Sequence, residues 1–263
     1  MPWTAVLVNL GVCGAAALAV MLIAFAVGAA TGRHRVVDEA WGLAFAAIAV
    51  TTLVLSWGHG DAWPRWLVAA ATLVWGLRLF VHIHRRARGT GEDPRYERML
   101  SKAEGPRIRY AFSHVYLLQA AVAWFVSLPV QLAAYQTDAA PGWLIAGGAV
   151  WLLGFGFEAI GDAQLAAFRR DPARAGGVLD TGLWRYTRHP NYFGDACVWW
   201  GLYLMGSGSV AGALTVLSPV AMTYFLVAKT GKPLMERHMS DSRPGYAEYM
   251  RRTSGFLPLP PRR

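Results

Sequence analysis

The chain has 263 residues, of which 55% are hydrophobic and only 16% are charged. Charged residues make up about 25% of a typical soluble domain, so this composition excludes a soluble globular protein. The only two cysteines, Cys13 and Cys197, lie in apolar segments, which excludes a disulfide framework and a CxxC metal site. We therefore expect an integral membrane protein without a metal site.

Apolar blocks of about twenty residues recur along the chain, and each is long enough to cross roughly 30 Å of hydrocarbon as a helix. The first block has no Lys or Arg before it, whereas a secretory signal peptide begins with basic residues, so we interpret it as a retained helix. The pattern predicts an all-α, polytopic membrane bundle of about seven transmembrane helices, folded as a single domain over residues 1–263. The predicted spans cover residues 5–30, 37–57, 64–84, 110–133, 142–165, 191–206 and 210–229.

Basic residues lie almost entirely on one side of these spans. Of 25 Lys and Arg residues, 23 follow the first, third, fifth or last span, while Arg65 alone lies in the opposite set of loops and Arg78 lies inside a span. Because Lys and Arg collect on the cytoplasmic side of a membrane, we expect the amino terminus outside and the carboxyl terminus in the cytoplasm. Such a face attracts anionic membrane lipids, and without a soluble module we expect no nucleic-acid partner.

Several polar side chains are predicted at membrane depth, all in the cytoplasmic half of their spans. A charged residue in mid-span costs roughly 2.5–3.5 kcal/mol, so such residues usually face a bundle interior or a wet cavity. The outer halves are nearly free of ionisable groups, which argues against a transporter. Taken singly, each group also has a structural explanation, such as a helix-dipole contact, snorkelling or an ion pair. One group is Asp38 and Glu39, at the start of the second span. The others are pairs with i,i+4 spacing, each on one helix face: Arg78 with His82, Glu158 with Asp162, and Asn191 with Asp195.

The most informative segment precedes the sixth span and reads GLWRYTRHPNYFGD over residues 182–195. Its Arg guanidinium groups suit phosphate oxygens, and Gly194 allows another backbone or a ligand to come close. An interfacial belt of aromatic and basic anchors is the alternative explanation. A belt requires neither the His-Pro-Asn order nor the Gly-Asp pair, so the segment favours a ligand site.

The chain resembles the bacterial DUF1295 branch of the steroid 5α-reductase C-terminal-domain superfamily, whose relatives include the sterol C14 and C7 reductases. The resemblance covers nearly the whole chain, and RHPNYFGD at 188–195 is its most specific part. Its other parts are VDEAWG at 37–42, WGLR at 75–78, GEDPRY at 91–96, LQ at 118–119, FEAIGDAQ at 157–164, RPGYAEY at 243–249 and RTS at 252–254.

The superfamily is also similar to isoprenylcysteine carboxyl methyltransferases, which share the Arg-His-Pro segment. Asn191 and the Gly194-Asp195 pair are typical of the sterol-reductase form of the motif. The methyltransferases usually carry paired Glu residues in the final helical region, where this chain has Glu236 followed by Arg237. An S-adenosylmethionine-dependent membrane methyltransferase is therefore the second hypothesis, and a non-enzymatic lipid-binding membrane protein is the third.

The resemblance implies an NADPH-dependent reductase of a carbon–carbon double bond in a lipid-soluble substrate of steroid, sterol, isoprenoid or fatty-acyl type. Glu158 and Asp162 match the i,i+4 pair that holds the nucleotide in relatives, although the first is Asn there. Asn191 matches the Asn on the nicotinamide side, and Asp195 matches an acidic position. The other implied cofactor-binding residues are Arg169, Arg170, Arg185, Tyr186, Arg188, His189, Tyr192, Gly194, Lys229, His238, Tyr246 and Arg252.

No Gly-x-Gly-x-x-Gly run follows a strand, so this cofactor site would not be a Rossmann site. The resemblance assigns residues 1–109 to the substrate side and residues 110–263 to the cofactor. It also implies an integral protein of the bacterial inner membrane. The oligomeric state stays open.

The proton donor is where the sequence departs from its relatives. Steroid 5α-reductases carry a Tyr in span three and a Glu in span two, but the position three before Arg78 is Trp75, which has no acidic proton. Asp38 or Glu39 is expected to supply the span-two carboxyl group, buried enough to stay protonated. Tyr116 and His82 are the candidates to replace the phenol.

Overall fold

The computed structural model describes the chain except for Asp138, Thr230, Arg263 and the side chain of His238. Over the described residues it is helical, without strands, and a single parallel bridge joins Thr187 to Ser254. The α-helices are α1 (Trp3–Thr31), α2 (Val36–Leu55), α3 (Ala62–Ala87), α4 (Pro94–Leu100), α5 (Arg107–Ala111), α6 (Leu118–Val126), α7 (Leu128–Ala133), α8 (Pro141–Arg170), α9 (Pro190–Gly206), α10 (Val210–Ala213), α11 (Leu217–Tyr224), α12 (Lys232–Ser242) and α13 (Tyr246–Arg252). Wider π-helical turns cover Phe112–Leu117 and Phe225–Lys229, and 3₁₀ turns cover Pro172–Arg174, Gly182–Arg185 and Leu214–Val216.

Five helical stretches in the described part of the chain are long and apolar enough to cross a membrane. They are Trp3–Thr31, Val36–Leu55, Ala62–Ala87, Pro141–Arg170 and Val210–Ser242. The predicted span 110–133 is divided by the π-helical turn and by the break before α7, and α9 has only 17 residues. The all-α membrane architecture is thus confirmed, whereas the count of seven and the orientation stay predictions.

The chain divides into two compact units, which differ from the functional division at residue 109. The first unit comprises Met1–Leu144 and Met205–Thr215, and the second comprises Ile145–Leu204 and Val216–Arg263. This division follows contacts alone, so the assignment of residues 1–109 to the substrate and 110–263 to the cofactor stays a prediction.

Glycines set the closest helix approach in the first unit. A Cβ on Gly42 would lie 2.3 Å from the carbonyl oxygen of Gly76, and one on Gly76 would lie 2.6 Å from that of Gly42. The backbones of α2 and α3 therefore touch where the motifs VDEAWG and WGLR meet. Trp75 is fully buried beside this crossing and packs edge-on against Phe45. The Trp that replaces the expected Tyr thus belongs to the packed core of this unit.

In the second unit, α8 and α9 cross equally closely. A Cβ on Gly194 would lie 2.5 Å from the carbonyl oxygen of Gly154, and one on Gly201 would lie 2.6 Å from the backbone nitrogen of Trp151. Small residues are common at such crossings because helices in lipid gain stability from close packing. The crossing positions the polar residues of α8 opposite those at the start of α9.

Candidate functional site

The first group of predicted site residues meets between α8 and the start of α9. The amide nitrogen of Asn191 donates to Oδ1 of Asp162 over 3.3 Å, and Oδ1 of Asn191 accepts the backbone N–H of Tyr192 over 3.0 Å. Glu158 and Asp162 are both buried. Asp195 lies one turn after Asn191 on the partly buried first half of α9. The two i,i+4 pairs predicted from the sequence are therefore on adjoining helices.

Gly194 lies at the same crossing, in contact with the turn that carries Glu158. A Cβ at position 194 would come within 2.5 Å of the backbone nitrogen of Glu158 and 2.9 Å of its Cβ. The glycine in this motif therefore serves helix packing beside the polar group. Whether it also borders a ligand stays a prediction.

Four of the predicted phosphate-binding residues have exposed side chains in the second unit. They are Arg169, Arg170, Arg185 and Lys229, and the predicted Tyr186 is exposed as well. Arg252 is also exposed but lies 3.4 Å from Glu248 and 3.9 Å from Asp180. His238 has its side chain outside the part of the chain that the structure describes.

Arg188, which the sequence predicts as a phosphate ligand, is bonded to several groups within the protein. Its guanidinium donates to Glu236 on α12 over 2.7 and 2.8 Å, and to the carbonyl oxygens of Met250 and Thr253 over 3.1 and 2.5 Å. Its backbone N–H donates to Ser254 over 2.9 Å. In this structure Arg188 therefore anchors the carboxyl-terminal segment to the residues before α9.

His189 is buried beside the same carboxylate, with Nε2 3.2 Å from Glu236 and its ring stacked on Tyr192. Burial lowers the pKa of His189, and it outweighs the hydrogen bond to Glu236, which acts in the opposite direction. Tyr246 is buried in α13, and burial raises its pKa to about 12. The predicted residues His189, Tyr192 and Tyr246 thus lie where the carboxyl-terminal segment packs against the start of α9.

The second group of predicted residues lies in the first unit, at the start of α2. Asp38 accepts a hydrogen bond of 2.5 Å from the hydroxyl of Tyr96 and one of 2.8 Å from Arg95. Burial and the neighbouring carboxylate of Asp38 raise the pKa of Tyr96 well above its usual value. Arg95 also donates to Asp93. Burial of Asp93 raises its pKa, but the hydrogen bonds and charge of Arg95 outweigh burial, so the pKa of Asp93 is lowered.

Glu39 points away from Asp38, as expected for adjacent residues about 100° apart on a helix. Its carboxylate lies 2.8 Å from Nδ1 of His84 on α3. Tyr116 is buried, and its hydroxyl lies 3.1 Å from Nδ1 of His34. His82 is partly buried on α3.

Glu92 joins the loop before α4 to the amino-terminal end of α2. Its carboxylate accepts the backbone N–H groups of His34 and Arg35, the latter over 3.0 Å. These N–H groups precede the first turn of α2, where a carboxylate is also favoured by the helix dipole. The motif GEDPRY is therefore bound directly to the helix that begins with VDEAWG.

Comparison with known families decides the classification. The family described as "Protein of unknown function (DUF1295)" matches residues 24–253. The chain belongs to this family. No curated protein and no solved structure matched the chain.

Four residues of this DUF1295 protein were not among the sequence-based candidates, although each is a close partner of one. Tyr96 and Glu92 lie in the GEDPRY motif, whose position in the sequence gives no sign of its contact with α2. His34 and Glu236 belong to none of the motifs on which the resemblance rests. In the described residues, no cluster of three His, Cys, Asp or Glu side chains has the arrangement of a metal site.

Proposed function

We propose that this DUF1295 protein is a membrane-embedded, NADPH-dependent reductase of a carbon–carbon double bond in a lipid. The observation that carries the proposal is the contact between Asp162 and Asn191, 3.3 Å apart on α8 and α9. These are the positions at which the resemblance to steroid 5α-reductases expects the nucleotide. Membership of a steroid 5α-reductase-like family supports the same reaction class.

The residues of the second unit have the chemistry that NADPH requires. Asn191 and Asp162 combine an amide donor with carboxylate acceptors, which suits a carboxamide and ribose hydroxyl groups. Arg169 lies seven residues after Asp162, about 10 Å along the same helix face, and exposed guanidinium groups suit phosphate oxygens. Arg188, held by Glu236, also positions the segment before α9 and stays among the proposed cofactor-binding residues. The bound cofactor would supply the hydride, while these residues bind and orient it.

Proton delivery is assigned to the first unit. Tyr96 holds the proton of its 2.5 Å hydrogen bond to Asp38, which is also ion-paired with Arg95. Tyr96 therefore joins Asp38 as a candidate acid. Tyr116, Glu39 and His82 remain the alternatives.

The proposal includes seven spans, an external amino terminus, a cytoplasmic carboxyl terminus and a location in the bacterial inner membrane. The lipid-soluble substrate would enter from the bilayer, and NADPH from the cytoplasm. Single cysteines at the exposed positions Glu104→Cys and Thr137→Cys test the orientation in intact cells. An impermeant maleimide should label position 137 and spare position 104, and the opposite pattern would reverse the topology.

Mass spectrometry of nucleotides that co-purify with the detergent-solubilised protein tests the function directly. NADPH is expected, and calorimetry with NADPH and NADH then measures the preference. Recovery of S-adenosylmethionine instead would indicate the methyltransferase. Failure to bind either cofactor in calorimetry would leave the lipid-binding protein as the remaining hypothesis.

A further inference from the structure

A buried polar cluster lies in the first unit, at the end of the helices opposite Asp38. Asn9 on α1 donates to Thr52 on α2 and to Gln131 on α7, over 3.4 Å each. Cys13, one turn after Asn9, lies 3.3 Å from the hydroxyl of Thr52. All four side chains are completely buried. Polar contacts between apolar helices usually join them to one another, which accounts for these hydrogen bonds.

Two atoms at this cluster are not accounted for by helix association. Oδ1 of Asn9 and the hydroxyl of Tyr135 are buried and have no hydrogen-bond partner in the described part of the chain. Reversing the Asn9 side-chain amide would exchange its oxygen and nitrogen, and the nitrogen would then lack a hydrogen-bond partner. A buried polar atom without a partner costs about 1–3 kcal/mol, so two in one place indicate a group that binds them.

Both atoms belong to the same part of the unit. Tyr135 packs against Val6, which is one turn before Asn9 on the buried face of α1. It follows α7, four residues after Gln131, which bonds Asn9. Tyr135 is therefore a neighbour of the cluster formed by Asn9, Cys13 and Thr52.

We propose that this cluster binds one hydroxyl group. The ligand must accept a hydrogen bond from Tyr135 and donate one to Asn9, and a hydroxyl does both, whereas a carbonyl or an ether only accepts. The hydroxyl comes either from an ordered water or from the alcohol end of a lipid. This inference does not depend on the reductase activity.

A surface cavity next to His59, a neighbour of Tyr135, is where a lipid alcohol would approach. It has a volume of about 410 Å³ and is bordered by Trp3, Ala5 and Val8 of α1 and by Leu55 and His59. The ring of His59 stacks on Tyr135 with 5.9 Å between the ring centres. The cavity thus borders His59, which packs against Tyr135.

The sign of one stability change tests the proposal. Tyr135→Phe removes only the hydroxyl, so loss of a hydrogen bond to a bound ligand should lower the midpoint of thermal unfolding in detergent by roughly 2–4 °C. Tyr224→Phe, exposed on α11, is the matched control and should not change it. An unchanged or raised midpoint in Tyr135→Phe would overturn the proposal, because removal of an unsatisfied hydroxyl costs nothing.

A double-mutant cycle excludes an unrelated packing effect. If one hydroxyl joins the two side chains, Tyr135→Phe should cost less in an Asn9→Ala background than in the natural chain. If the stability losses of the two single variants simply add in the double variant, the proposal of a shared ligand is overturned.

The two sources are separated with 1-hexadecanol and its methyl ether. A lipid source predicts that the alcohol, but not the ether, raises the midpoint of the natural chain and fails to do so in Tyr135→Phe. A water source predicts no difference between the two probes while the double-mutant coupling persists. Either result supports the hydroxyl site once the cycle shows coupling.

Discussion

The hydroxyl of Tyr96 donates a hydrogen bond of 2.5 Å to Asp38, across 58 residues of sequence. Arg95 donates to the other carboxylate oxygen, and Glu92 binds the backbone immediately before α2. The start of α2 is therefore covered by the GEDPRY loop. This arrangement links the carboxyl group predicted to act as an acid to a phenol and an arginine of one short segment.

Asp38→Asn should retain NADPH binding and lose turnover on a reducible lipid by roughly 10²–10⁴-fold, the usual contribution of positioned acid catalysis. The amide oxygen still accepts from Tyr96, and although the bond from Arg95 is lost, Glu92 still binds the loop to the start of α2. Glu39→Gln is the matched control because Glu39 contacts His84 on α3 instead. Full turnover in Asp38→Asn with loss in Glu39→Gln would move the assignment by one residue. No effect of either change would direct attention to Tyr96, Tyr116 and His82.

Asn191→Ala and Asp195→Ala should each weaken NADPH binding by about 10- to 150-fold, which corresponds to the 1.5–3 kcal/mol of a hydrogen bond to a charged partner. Calorimetry on the solubilised protein measures the affinity, and the unfolding midpoint shows whether each variant is folded. As a control, Asp241→Ala, which removes an exposed carboxylate of the same unit, should leave the NADPH affinity unchanged. Unaltered affinity in both site variants would eliminate this cofactor site.

Gly194→Ala should destabilise the protein by about 1–3 kcal/mol or more, because the added methyl group would meet the backbone of Gly154 and Glu158 at 2.5 Å. Gly156→Ala on α8 is the control, since its Cβ would meet no atom within 4 Å and alanine favours a helix. Thermal unfolding in detergent compares the two. Equal midpoints would show that the α8–α9 contact is looser than the structure has it.

Stability should decrease as the pH falls below about 6.5, owing to His189. Burial lowers its pKa in the folded protein below the unfolded value of 6.5, so the unfolded chain binds the proton more readily. The stabilisation is complete above that pH and is lost as the pH falls toward the folded pKa, by about 1.4 kcal/mol for each unit of difference.

Glu236, Arg188 and Lys232 are the charged groups that act on this imidazole. Unfolding free energies at several pH values, compared between the natural chain and His189→Gln, isolate its contribution. The variant should show a shallower decrease at acidic pH. Identical curves would mean that His189 does not carry the effect.

The sequence by itself determined the helical membrane architecture and the family. Twenty consecutive apolar residues form a helix in lipid whatever their neighbours, because the backbone must satisfy its own hydrogen bonds there. That argument identified α1, α2, α3 and α8, and i,i+4 spacing placed Glu158 and Asp162 on one face of α8. At residues 110–133 it did not predict the π-helical turn and the break that interrupt one apolar block, because hydropathy is insensitive to both, and the span there stays a prediction.

Only the tertiary structure decided which polar groups meet. Arg188 is predicted to bind phosphate because of its type and motif, but the sequence did not indicate its pairing with Glu236, which lies 48 residues away. Tyr96 and Glu92 reach α2 only because their loop folds back onto it. Such contacts depend on how distant segments pack, whereas helix formation in a membrane depends on the twenty residues of the helix itself.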